Sequence, residues 1–132
     1  FYVGEQQLEW LKNELSKVSA STPIVVSMHV PVYSLYSPVV DEKYVFAEVI
    51  INFNELVKVF ENHNLKLVLQ GHQHIYEEIF VKNVRYITAG AVSGAWWYGP
   101  LHGTEPGFLI VEIDSAGDFT WEYVDFGWIA KE

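Results

Sequence analysis

The sequence predicts an α/β fold, and three observations predict it. Two apolar runs, Pro23–Met28 and Leu65–Leu69, each follow a stretch of helical periodicity, and helix then strand, twice, is the pattern of a sheet backed by helices. Both runs stop at histidines, His29 after the first and His72 with His74 after the second. From Tyr76 onward the pattern changes to short strands alone.

Residues 5–18 place Leu8, Leu11, Leu15 and Val18 at helical spacing, flanked by Trp10 and Glu14, which predicts an amphipathic helix ended by Ser19 to Pro23. Pro23–Met28 is almost entirely apolar, as expected of a strand covered on both faces in a parallel sheet. His29 then stands at the carboxyl end of a strand, where open α/β sheets bind ligands. Residues 31–49, with Tyr33, Tyr36, Pro38, Tyr44 and Phe46, read as a long irregular loop of a kind that is often functional. Residues 52–63 read as a second helix, with Phe53, Leu56, Val57 and Phe60 on one face, feeding Leu65–Leu69 as a second buried strand. Gly71 lets the chain turn without a Cβ penalty, and on an extended backbone His72 and His74, two apart, share a face. Strands follow at 76–81, 85–89, 107–113 and 119–126, with a turn near Asn83 and a hairpin loop at Asp114-Ser115-Ala116-Gly117.

Composition narrows the function classes. The 132 residues suit one domain, and a 50% hydrophobic share is enough for a core. A net charge of −9, with only 8 Lys and Arg, disfavours nucleic acid as a partner, because that binding rests on neutralising phosphates. No run approaches the roughly 18 consecutive apolar residues of a membrane span. With no cysteine, any metal must be held by histidine and carboxylate. A lone histidine is more often a surface or hydrogen-bonded residue than a ligand, so the weight falls on three of them at two strand ends.

Four motifs in one order resemble the calcineurin-like metallophosphoesterases. Gln7-Leu8-Glu9-Trp10-Leu11 resembles that family's helix start, His29-Val30-Pro31 its His-x-Pro strand end, Gly71-His72-Gln73-His74 its Gly-His-x-His, and Ile87-Thr88-Ala89-Gly90-Ala91-Val92-Ser93-Gly94 the Gly-rich strand end that follows. The resemblance covers nearly all of the chain. It implies that residues 1–132 are the C-terminal portion of a four-layer sandwich, with mixed sheets face to face and helices outside. It implies hydrolysis of phosphomonoesters or phosphodiesters by metal-activated water, two divalent cations of manganese, iron or zinc standing roughly 3.5–4 Å apart. His29 and His72 would bind one and His74 the other.

The family's Asp-x-His, Gly-Asp-x-x-Asp and Gly-Asn-His motifs are absent here. Gly117-Asp118 continues to Trp121 where the second Asp is required, and Asn62-His63, preceded by Glu61, reads as a polar helix terminus. The resemblance thus implies a missing N-terminal half as partner, and a chain that alone holds one ion or none and is inactive. An uncovered sheet face would favour self-association. The Gly-Ala-Trp-Trp stretch resembles bacterial extracytoplasmic members, implying a periplasmic or secreted protein.

Candidate substrate contacts are Trp96, Trp97 and His102. The aromatics of Ser93–Pro100 either plug a sheet edge or wall the cleft, where one could stack on a nucleobase or aryl group. Two other readings stand beside the phosphoesterase. One is a noncatalytic domain that binds a ligand or partner through this aromatic loop; the other is a mononuclear zinc hydrolase in which Asp41 or Glu77 joins the histidines.

Overall fold

A computed structural model describes residues 1–131. In chain order the elements are helix α1 (Glu5–Leu15), strand β1 (Pro23–Ser27), helix α2 (Tyr36–Val40), a 3₁₀ turn (Phe46–Glu48), helix α3 (Phe53–Val59) and strands β2 (Asn64–Gln70), β3 (Glu77–Val81), β4 (Val84–Thr88), β5 (Gly107–Ile113) and β6 (Phe119–Asp125). Four strands form a mixed sheet in the order β1-β2-β4-β3, parallel except for β3, which runs antiparallel to β4. Strands β5 and β6 form a separate antiparallel pair. Among the described residues the layers are therefore helices, a mixed sheet and a hairpin, the mixed α/β architecture expected.

One face of the sheet carries Val26, Val68, Tyr86 and Ile79, which pack with Leu8 and Leu15 of α1 and Leu56 of α3. The opposite face carries Leu67 and Ile87, both fully buried, in line with Arg85 and Glu78. The hairpin covers this second face. Its Trp121 donates from Nε1 to Glu78 Oε1 at 2.9 Å, while the Arg85 guanidinium lies 4.4 Å from the Trp121 ring centroid. Burial alone would raise the Glu78 carboxyl, but hydrogen bonds from Tyr76 and Trp121, with Arg85 beside it, outweigh that and hold it below the usual range.

Helix α1 stops at Leu15, earlier than its apolar stripe predicts. Ser16 Oγ donates to the Asn13 carbonyl at 2.7 Å, and Val18 falls in a turn. Helix α3 is shorter too, because its end tightens into i→i−3 bonds from Phe60, Glu61 and His63. Strand β1 corrects the expectation of burial on both faces. It is the edge of the sheet, Pro23, Val25 and Ser27 are exposed, and only Ile24 and Val26 turn towards the core. The 31–49 stretch is likewise not wholly irregular: it contains α2 and the 3₁₀ turn, and Ile50 N–H donates to the Pro31 carbonyl at 2.9 Å, closing the loop at its base.

Candidate metal centre

Parallel pairing of β1 with β2 sets the site. Ser27 lies opposite Leu69, and beyond the strands Gly71 N–H donates to the His29 carbonyl at 2.8 Å. The two histidine-bearing loops therefore leave the sheet side by side at the carboxyl rim. There His72 Nδ1 lies 3.3 Å from His29 Nε2, with the rings edge to face. The other nitrogen of His72, Nε2, lies 3.3 Å from Glu48 Oε2.

His72 and His74 do not sit on an extended backbone, which corrects the basis on which they were expected to share a face. Their φ angles are 75° and 58°, so both occupy the left-handed region that side chains other than glycine seldom adopt. The left-handed turns belong to the histidines. Gly71 is not in that region, and a Cβ there would meet only the His29 carbonyl oxygen and Nδ1, at 3.6 and 3.8 Å, so steric freedom does not demand glycine. His74 turns away from the pair. Its Nδ1 lies 2.8 Å from the Gly94 carbonyl oxygen, and its ring is 4.7 Å from Trp96 at 30° between planes. A carbonyl only accepts, so Nδ1 is the nitrogen that donates here, and in the neutral ring the lone pair is on Nε2.

The loop opposite is fastened by two glutamines. Gln70, buried at the end of β2, accepts from Val32 N–H at 2.7 Å and donates to the Tyr33 carbonyl and Thr88 Oγ1, both at 3.0 Å. Gln73, buried between the two histidines, accepts from Ser34 Oγ at 2.7 Å and donates to the Glu48 carbonyl at 3.4 Å. Neither glutamine nor Glu48 was singled out from the sequence. The legible signal was an amide at the end of an apolar strand, where a buried polar group must find partners.

The remaining candidates separate. Trp96, Trp97 and Tyr98 are 63%, 54% and 87% exposed, so they do not plug the sheet edge. Trp97 meets Trp128 edge to face at 5.3 Å. His102 is exposed and pairs with Tyr36, 5.7 Å between ring centroids, at the start of α2. His63 lies in the turn that follows α3, its N–H donating to the carbonyl of Phe60, the helix's cap, and so falls beyond the helix terminus where the sequence reading placed it. The carboxylate beside the histidines is Glu48 in place of Asp41 or Glu77. Glu77 Oε1 accepts from Leu35 N–H at 2.7 Å. Among the described residues, no three His, Asp or Glu side chains gather as ligands of one ion.

No protein-family model matches the sequence, and no curated relative matches it. Among solved structures the chain is similar to the crystal structure of a dimetal phosphatase from Danio rerio, with 21% identity and a TM-score of 0.50. The match takes in 66% of this chain and 26% of that one, so the chain spans about a quarter of that structure's length. The likeness is one of fold: a mixed α/β arrangement of sheets flanked by helices, as in that dimetal phosphatase.

Proposed function

We propose that this chain supplies one wall of a metal-dependent phosphoesterase centre that hydrolyses phosphomonoesters or phosphodiesters. The observation that carries this reading is the approach of His29 Nε2 and His72 Nδ1 to 3.3 Å at the rim of two parallel strands. Two imidazole nitrogens, each about 2.0–2.1 Å from one cation in a tetrahedral arrangement, lie about 3.3–3.4 Å apart. The pair fits a shared ion as well as it fits a hydrogen bond, so His29 and His72 would hold one cation. His74, with its lone pair on Nε2, would serve a second. Zinc, iron and manganese suit imidazole supplemented by carboxylates. Bound there, such ions would lower the pKa of a water and offset charge on the phosphoryl oxygens.

The side chains of this chain orient what enters. Trp96 rests one face towards His74 and leaves most of its surface open, a wall for an aryl or nucleobase group beside the phosphoester. The similar fold of the dimetal phosphatase is in keeping with this reading. Two cations need more ligands than His29, His72 and His74 supply, so the chain alone is expected to be inactive. Zinc titration of the chain, by calorimetry, tests the proposal. One weak site, lost in both His29→Ala and His72→Ala, is the expected result; binding equal to wild type in either variant would overturn it.

A further inference from the structure

We propose that Glu48 is a positioning residue for this centre: it fixes His72 in the tautomer whose unprotonated Nδ1 faces His29, and Gln73 clips Glu48 in place. The inference rests on the reading of His29 and His72 as metal ligands. A neutral imidazole has one N–H, and the partner of each nitrogen decides which one carries it. Glu48 Oε2, 3.3 Å from His72 Nε2, draws the proton to that nitrogen, because the opposite tautomer would set an Nε2 lone pair against a carboxylate. In the metal-free chain Nδ1 then accepts from His29 Nε2–H, and it is the nitrogen of the His72 ring whose lone pair a cation would take; His29, to bind the same cation through Nε2, would carry its proton on Nδ1. His74 is oriented by the opposite device, a carbonyl on Nδ1. The two histidines of one motif are thus held in different tautomers, each presenting one lone pair.

Gln73 gives the arrangement its rigidity. It lies between the two histidines, is only 4% exposed, and donates to the backbone carbonyl of Glu48 itself. Ser34 Oγ fixes the same amide from the other side. The 31–49 loop is thereby tied to the histidine turn at the residue whose carboxylate is needed there. A carboxylate behind a ligating imidazole both sets the ring's orientation and raises its basicity, and losing it costs about 10–100-fold in metal affinity.

The test is the tautomer of His72 in the metal-free chain labelled with ¹⁵N-histidine, read from two-bond nitrogen–proton correlations, with zinc affinity measured alongside. Wild type should show the Nε2–H form. Glu48→Gln, whose amide oxygen still accepts, should keep it. Glu48→Ala, at a side chain 35% exposed and so tolerated by the fold, should give a tautomer mixture and about 10-fold weaker zinc. Gln73→Ala should reproduce the mixture with Glu48 intact. An Nδ1–H form in wild type, or an unchanged tautomer in Glu48→Ala, overturns the proposal while leaving His29 and His72 as ligands. Unchanged zinc affinity in His72→Ala sinks the ligand reading, and this inference with it.

Discussion

His74 is held in a backbone conformation that its side chain disfavours, and paired substitutions can measure what that costs. Its φ is 58°, its Nδ1 bonds the Gly94 carbonyl, and its ring lies against Trp96. A left-handed residue with a Cβ costs about 1–2 kcal/mol, which glycine avoids. Glycine gives back about 0.4–1 kcal/mol through its freer unfolded chain. His74→Gly should therefore be more stable than His74→Ala by roughly 0.5–1 kcal/mol. Both lose the hydrogen bond, about 1 kcal/mol, and the ring contact, about 0.5–1.5 kcal/mol. Relative to wild type, alanine then costs about 2 kcal/mol and glycine a little over 1. Urea unfolding followed by tryptophan fluorescence reads both numbers, provided the m-values agree. Equal stability of the two variants would refute the strain at His74.

The two glycines near the site should behave oppositely. Gly71→Ala meets ordinary contacts and should unfold within about 0.5 kcal/mol of wild type. Gly94→Ala, with φ at 50° and a Cβ 2.9 Å from Pro106 Cγ, should lose about 2–3 kcal/mol; equal midpoints for the two would contradict the geometry. Burial, the leading cause at both phenols, pushes Tyr76 and Tyr86 up to about 12. Raised in the folded state, they contribute stability below pH 10 that is lost as pH rises through about 12, and Tyr86→Phe should flatten that loss in urea midpoints taken across the range. Glu78 titrates in the other sense: held below its ordinary value of 4.5, it contributes stability above that pH and loses it as pH falls further. The gap between wild type and Glu78→Gln should narrow on acidification, and a constant gap down to pH 3 would count against the Tyr76, Trp121 and Arg85 contacts.

How far the sequence could be read depends on whether the deciding interaction is local. Helical spacing of Leu8, Leu11 and Leu15 locates α1, because periodicity is local; its end is not legible that way, because a serine hydroxyl bonding a carbonyl competes with the helix. The apolar composition of Pro23–Met28 predicted a strand but not its rank in the sheet, since an edge strand can also be apolar. His29, His72 and His74 were legible as residues at strand ends. Their orientations were not, because these depend on Glu48, Gln73 and Gly94, side chains and a carbonyl brought in by loops. A loop that folds over a rim leaves no periodic trace, and Glu48 reads as one acidic residue among aromatics.

The meeting of His29 with His72 also rests on an irregularity at the far end of β1. Pairing runs from Pro23 opposite Asn64 and Ile24 opposite Leu65, then shifts so that Val25 faces Leu67, with Lys66 left over. Regular pairing from the same start would set Ser27 against Val68 and His29 against Gln70. The bulge advances β1 by one residue, about 3.3 Å, and brings His29 level with Gly71, where the backbone bond between them forms. Deleting Lys66 should therefore be tolerated, because Leu65 and Leu67 then become neighbours with their faces and partners kept. The variant should unfold within about 1 kcal/mol of wild type and retain the His72 tautomer and zinc affinity. Deleting Val68, in the regular part of β2, should instead pull the rim out of register and abolish both. If removal of Lys66 is as damaging as removal of Val68, the bulge does not set the register, and the approach of the two histidines has another cause.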